Sequence, residues 1–425
     1  MKLFNIKANR AIVSNLTSLT VLQFAGYVFP LITIPYLTRV LGPSNFGLVN
    51  YALAFCGYFF LLVNYSFDLT AVRSISSERE DLKAVSNIFF TVFFAKVLLF
   101  FVSSVTFTVA LLAFPFLRAN AGVYTLMFLY VIGEIFFPRW FYQGIEKLSS
   151  LAILNFVAKL ISTIAIFVFV RNEHDVLFYP ALLSGAQIII GLSAFAYAVK
   201  KYSLQMKVPS RARIIKELKD NFSIFLSGVA ITLYTTSNVF LLGTMTAIKY
   251  VGYYSSALKV VTVVQALVLA PVYQTFFPFF SKQFADSVKE GRRKLHKIMR
   301  VQLAFTLVVS LLILAFAREA VLLVGGRQYL PAVATMIILS FMPVVMGLSN
   351  VFAFQGLLNI KEDRIFLALV LASLFVNILM NLILIPWAQD KGTAISSLVS
   401  ESVLAGASCY LFEKKARQRI QLELS

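Results

Sequence analysis

Apolar runs of about twenty residues recur along the whole chain, separated by short polar or basic stretches. They are apolar on every face, and each is long enough to cross a hydrocarbon core about 30 Å thick as a helix. Twelve spans can be drawn, at roughly 16–38, 46–67, 86–114, 121–143, 149–170, 176–199, 221–244, 251–276, 301–324, 331–357, 365–386 and 393–412. The third, eighth and tenth are longer than one crossing needs, which predicts tilt or extension beyond the bilayer. Strands of a β-barrel would alternate polar and apolar positions instead. The pattern predicts an all-α polytopic membrane protein with two pseudo-symmetric six-helix lobes, 1–200 and 221–425, joined by a basic linker at 201–220.

A degenerate internal repeat supports the two halves. Phe46-Gly47 precedes Tyr51-Ala52 as Val251-Gly252 precedes Ser256-Ala257, and Phe141-Tyr142-Gln143-Gly144 is matched by Ala353-Phe354-Gln355-Gly356. Six spans per half is an even number, so the halves share one orientation, with a pseudo-two-fold along the membrane normal. Prolines fall within the spans: Pro30 and Pro35 in the first, Pro138 in the fourth, Pro271 and Pro278 in the eighth, Pro343 in the tenth. Each removes a backbone hydrogen bond and favours a kink. The pairs Pro30/Pro35 and Pro271/Pro278 are the hinge candidates.

Composition agrees with a membrane solvent. Charged residues make up 13% of the chain and hydrophobic ones 59%. Soluble chains carry about 25% charged residues. The formal charge of +19 would suggest nucleic acid in a soluble protein. Here it is explained by loops: with Arg318 and Arg139, which fall near the ends of their spans, counted with the adjoining connections, seven Lys and Arg fall in the odd-numbered connections, against twenty-eight in the termini and even-numbered ones. That fourfold bias predicts both termini in the cytoplasm and no nucleic-acid partner. The segment 282–300 reads as short, basic and amphipathic, suited to lie on anionic headgroups or to gather an anionic lipid. Lys2, Lys7 and Arg10 precede a first span without a cleavage signal, so that span is expected to remain. Cys56 and Cys409 lie in apolar runs, where neither disulfide nor zinc chemistry is indicated.

Five ionisable groups fall deep in the spans: Lys96, Glu134, Lys159, Lys259 and Glu401. A charge in hydrocarbon costs at least about 2.5 kcal/mol, so each is expected to face protein or water. The lysines suit either ion pairs with Glu134 or Glu401, or the wall of a cationic cavity. The two carboxylates suit either structural pairing or binding of a coupling H+ or Na+. Arg39, nearer the outer edge, either snorkels to headgroups or meets substrate. Asn377 and Asn381 share one face of a helix, and Asn155, Gln187, Asn238 and Gln265 are also embedded, as helix–helix hydrogen bonding requires. No phosphate-binding Lys-Ser/Thr loop is present, and His174 and His296 lack metal-ligand spacing. Neither an enzyme site nor a metal or cofactor site is expected.

The hairpin IPYLTRVLGPSNFG, the FYQGIEK after the fourth span, the Pro278-to-Ser281 ending of the eighth and GTAISSLVSE in the twelfth carry a resemblance. The chain resembles the polysaccharide-transport branch of the multidrug/oligosaccharidyl-lipid/polysaccharide flippase superfamily, and within it the Wzx-type O-antigen flippases. The resemblance implies a multi-pass protein of the bacterial inner membrane with a V-shaped pair of six-helix lobes. Its expected work is to move an undecaprenyl-pyrophosphate-linked oligosaccharide from the cytoplasmic to the periplasmic leaflet by alternating access, coupled to an ion gradient. It further implies a cationic inter-lobe cavity, for which Lys96, Lys159, Lys259 and Arg39 are the candidates, with Glu134 and Glu401 for ion coupling. Membrane lipids, a polysaccharide polymerase and a chain-length regulator are the implied partners. A pyrophosphate cannot cross hydrocarbon unaided, and a surplus of embedded cations suits that anion better than a drug cation. A cation-coupled multidrug extruder of the same fold and a membrane polysaccharide polymerase are the alternatives. The polymerase would need a long catalytic outer loop.

Overall fold

The computed structural model describes residues 6–424, with side chains for 29–147, 151–265 and 276–421. Every element among them is helical. Nine candidate spans are long and apolar enough to cross a membrane among the described residues. Two of these, Phe29–Glu78 and Asp363–Gln421, exceed a single crossing and are broken by non-helical residues at Gly42 and Gln389. Counted as two crossings each, and joined by the helix Ile248–Asp286, they are consistent with the twelve expected.

The chain divides into two compact units. One comprises the described residues of Met1–Thr33 with Ala52–Thr232, and the other Ile34–Tyr51 with Leu233–Ser425. The segment Ile34–Tyr51 thus packs with the sequence-distant second half.

Corresponding positions in the halves share local geometry. Leu82–Ala113 opens on Asp81, whose side chain accepts from Lys83 N at 2.8 Å and Ala84 N at 3.2 Å. Val288–Ala315 opens on Ser287, which accepts from Glu290 N at 3.4 Å. Both satisfy orphan amides of a first helical turn. A left-handed non-glycine residue stands two residues after FYQG, Glu146 (φ 58°), and five after AFQG, Lys361 (φ 59°). In each case the next amide closes back on the helix: Lys147 N to Tyr142 O at 2.8 Å, and Glu362 N to Leu357 O at 2.9 Å. This is the Schellman-type termination of a helix.

The two glycines of the repeat meet within the second unit. A Cβ on Gly47 would fall on the carbonyl oxygen of Ile248 and 2.8 Å from Gly252 N. One on Gly252 would fall on the carbonyl of Pro43. Glycine is what lets these backbones touch. Tyr51 packs in the same way on Gly243, and its ring stacks on Phe240 with centroids 5.9 Å apart.

The prolines act unevenly. Pro138 lies at a real break: Phe137 is extended, and a short helix Arg139–Gly144 starts after the proline. Pro343 stands at the first turn of Met342–Ser349. Pro30 and Pro35, expected to interrupt the first span, leave Ile6–Asn64 helical, and the non-helical residue is Gly42 at φ 70°. A membrane helix tolerates proline when neighbours satisfy the freed groups. Pro278 is likewise inside a continuing helix, Ile248–Asp286; the side chain of Pro271, in the same helix, lies outside the described residues. The basic segment 282–300 is where two long helices join at Ser287, and the basic linker runs into the helix Arg211–Met245.

Candidate functional site

Each unit holds its own embedded polar cluster. In the first, Ile6–Asn64 ends and Tyr65 and Ser66 follow in the left-handed region, at φ 47° and 61°. Such a pair of non-glycine residues persists only where its surroundings hold it. The Tyr65 ring stacks on Phe225 at 4.2 Å and its hydroxyl donates to Leu218 O at 3.1 Å. A new helix, Phe67–Glu78, then starts with Asp68 in its first turn. There a carboxylate faces the positive end of a helix dipole, and Asp68 Oδ2 accepts from Asn64 Nδ2 at 2.9 Å.

Lys96 comes from Leu82–Ala113 and is only 2% exposed. Its ammonium donates to the backbone carbonyl of Glu134 at 3.4 Å and is attracted by the carboxylates of Asp68 and Glu134. Glu134 sits on the short helix Tyr130–Phe136; its Oε1 accepts from Gln187 Nε2 at 2.6 Å, and the Tyr130 hydroxyl donates to the same carboxylate. Gln187 reaches it because two helices touch at glycines. A Cβ on Gly191 would fall on Gly133 O, and one on Gly133 would lie 2.5 Å from Gln187 C. Arg139 attracts Glu134 across the break at Pro138 and repels the half-buried Lys159. Tyr130 also lines a largely apolar cavity of about 260 Å³ beside Leu53, Phe60 and Met127.

The second unit's cluster is built mainly from neutral groups. Glu401, 5% exposed, accepts at one carboxylate oxygen from the Tyr234 hydroxyl and at the other from Ser349, both at 2.5 Å. Next to it, Asn238 donates to Ser397 (3.0 Å), Asn381 to Asn238 (2.8 Å), and Asn377 to Ser400 (3.2 Å). Tyr234 and Asn238, Asn377 and Asn381, and Ser397 and Glu401 are each four apart, so three helices turn one polar stripe toward one another. In apolar surroundings such a network is stable because its members bond each other.

The structure brings Lys96 together with Glu134 in the first unit, while Lys259 and Arg39 belong to the second. Lys259 is half-buried, its ammonium 5.1 Å from the centroid of the Phe46 ring. Arg39 is exposed, and its Nη2 donates to Leu323 O at 2.6 Å and Leu322 O at 3.4 Å, at the carboxyl end of the helix Ala317–Gly325. Thr38 Oγ1 donates to Val324 O at 2.6 Å, and Gln328 caps the carbonyls of Thr38 and Arg39. A cation and hydroxyl on the last carbonyls of a helix satisfy its orphan acceptors and its negative pole.

Sequence reasoning missed Asp68, Arg139 and the Tyr234–Ser349 grip on Glu401. The polar pattern put Asp68 just past the second span and Arg139 in a loop, and it gave no sign of the Tyr65–Ser66 turn. It also passed over Asp390, buried at the Gln389 break, where its carboxylate accepts from Thr335 Oγ1 at 2.5 Å.

The profile of a family described as "Polysaccharide biosynthesis protein" matches residues 12–284. Two proteins described as "Putative O-antigen transporter" align along most of the chain. That of Escherichia coli (strain K12) is 28% identical over 390 residues, covering 92% of this chain and 94% of its own. That of Shigella dysenteriae is 24% identical over 393 residues, covering 92% and 97%. Among solved structures, lipid II flippase MurJ in an inward closed conformation superposes with a TM-score of 0.71 at 11% identity, over 97% of this chain and 90% of its own. An inward-facing multidrug resistance MATE family transporter of the MOP superfamily superposes at 0.67 with 14% identity, over 95% and 98%. At these identities the two solved structures speak for the fold alone.

Proposed function

Because the chain belongs to the polysaccharide biosynthesis protein family, we propose that it is a flippase of the bacterial inner membrane. Its cargo is an undecaprenyl-pyrophosphate-linked oligosaccharide, a repeat unit of O-antigen or a related surface polysaccharide. The unit moves from the cytoplasmic to the periplasmic leaflet by alternating access, and both termini lie in the cytoplasm. The observation that carries this reading is the near full-length similarity to two proteins described as O-antigen transporters.

The embedded clusters supply a physical route. A pyrophosphate leaving water needs fixed cations in place of its hydration shell, and Lys96, Lys159, Lys259 and Arg39 are the candidates. Glu134 and Glu401 take up and release the coupling H+ or Na+. Lys96 lies between the two roles, because its ammonium rests among the charges of Asp68 and Glu134. When Glu134 binds a proton, one of the charges holding Lys96 disappears, and the ammonium is free to pair with a phosphate oxygen. Uptake of the ion and capture of the substrate are then one event. Glu401, held by two hydroxyls, is the corresponding ion-binding carboxylate of the second unit.

Complementation tests the function. In a strain lacking its own O-antigen flippase and making a matching repeat unit, the chain is expected to restore surface polysaccharide. Lys96→Ala, Lys159→Ala and Lys259→Ala are each expected to reduce it. If all three variants reached the membrane and worked fully, the cationic route would be wrong.

A further inference from the structure

The basic end of the second unit contains a cavity that the transport reading leaves unused. It has a volume of about 540 Å³, within the range of small-molecule sites. Lys361, Arg419, Asn359 and Ser281 reach it as polar groups, and Phe284 and Ile360 are among its apolar walls. Those two walls are fixed: Phe284 is 6% exposed and Ile360 2%, both in a core cluster with Phe412.

One cation is positioned by the backbone and the other by an ion pair. Lys361 holds the left-handed turn that ends the AFQG helix, which leaves its side chain exposed at the cavity. Arg419 is held by Glu362 Oε1 at 3.1 Å, an oxygen that Lys415 approaches to 3.9 Å. Asn359 donates to Gln355 O at 3.1 Å. The surroundings are strongly positive: across 281–300, 359–364 and 413–419 there are thirteen Lys and Arg against five Asp and Glu. Of those acids, Glu362 is already engaged by Arg419 and Glu413 by Arg292, with His296 Nε2 3.0 Å from the other Glu413 oxygen.

A cavity that is half polar cation and half apolar wall, at the end of membrane helices, matches one chemistry. We propose that it is a binding site for the phosphate headgroup of an anionic membrane phospholipid. Lys361 and Arg419 take the phosphodiester, Asn359 and Ser281 the headgroup hydroxyls, and Phe284 and Ile360 the first methylenes of the acyl chains. Basic pockets between membrane helices hold such headgroups by this division of labour. The cavity shares no lining residue with the embedded clusters, and the bound lipid ties the Val288–Ala315, AFQG and carboxy-terminal helices together. The transport reading bears here only on which leaflet supplies the lipid.

The test uses the purified full chain in nanodiscs of neutral phosphatidylcholine, with lipid retention read by native mass spectrometry and stability by thermal melting. Phosphatidylglycerol or cardiolipin is expected to be retained in preference to added phosphatidylcholine and to raise the melting temperature. Lys361→Gln and Arg419→Gln are each expected to weaken retention about fivefold, and the double variant about twentyfold or more. Lys282→Gln and Lys414→Gln, outside the cavity, are expected to change it little. Lys361 is exposed, so its variant keeps the test valid should Arg419→Gln misfold. Equal loss in all four variants would show diffuse surface charge and overturn the site. So would wild-type protein with no preference for anionic lipid, or inorganic phosphate at millimolar concentration raising the melting temperature as much as the lipid does. Complementation of transport is a separate readout, so failure of the flippase reading leaves this result interpretable.

Discussion

The glycine contact at the repeat corner makes a prediction whose size follows from the closeness of the two backbones. In Gly47→Ala the new methyl must occupy the space of Ile248 O while also lying 2.8 Å from Gly252 N. In Gly252→Ala it meets the carbonyl of Pro43, with Pro43 Cα at 3.1 Å. These obstacles are backbone atoms, which cannot swing aside as a side-chain end can, so the segment and the helix Ile248–Asp286 must separate. Overpacking of this kind costs about 1–3 kcal/mol per substitution. Both methyls open the same contact, so the double variant should cost less than the two single losses together, with a coupling of about 0.5–3 kcal/mol. Three glycines serve as controls, since a Cβ on Gly57, Gly185 or Gly406 meets nothing within 4 Å. The assay is the melting temperature of detergent-purified protein, followed by size-exclusion chromatography of a fluorescent fusion. Gly47→Ala and Gly252→Ala should melt clearly below wild type while the three controls match it. If Gly47→Ala melted with Gly406→Ala, the paired corner would be wrong.

Other expectations follow from the clusters. Lys96→Met leaves Glu134 and Asp68 without their buried cation and should cost about 3–5 kcal/mol; adding Glu134→Gln should recover part of the melting temperature but not surface polysaccharide. Tyr234→Phe and Ser349→Ala each remove one donor from the buried Glu401 carboxylate and should cost about 1.5–3 kcal/mol in thermal stability. Glu401→Gln should slow ion-gradient-driven transport in vesicles while substrate binding is retained. Arg39→Gln loses the guanidinium on Leu322 and Leu323 and should lower stability by about 1–2 kcal/mol; Arg39→Lys should recover only part of it, because the two hydrogens of Nη2 are held in the guanidinium plane while an ammonium is a more strongly hydrated point charge.

Much of the architecture was legible because hydrocarbon is an unforgiving solvent. A run of twenty apolar residues has few other places to go, so the all-helical character of the spans followed from the length of the runs. For the same reason Lys96, Glu134 and Glu401 stood out: a charge there must have protein around it, and each does. The matched stretches around Gly144 and Gly356 were visible as letters, and a left-handed helix closure follows each, two residues on in the first and five in the second. What was not legible is tertiary. Nothing in FGLVNY announces that Ile34–Tyr51 packs with the second half, since that depends on two glycine backbones more than two hundred residues apart. Neither left-handed position of the turn at Tyr65–Ser66 is Gly or Asn, because stacking on Phe225 helps to hold it, and Asp68 was therefore left outside the cluster. Pro30 and Pro35 read as interruptions from local chemistry, whereas a packed helix carries them.

The most direct measurement is the sidedness of the lipid-linked sugar itself. In cells that make the repeat unit but lack a flippase and a polymerase, the undecaprenyl-pyrophosphate-linked units should stay beyond the reach of a periplasmic glycan-labelling probe. Expression of this chain should expose them to the probe, and the Lys96→Ala variant, present at equal level in the membrane, should expose markedly fewer. Units that remained on the cytoplasmic side with wild-type chain correctly inserted would contradict the flippase assignment.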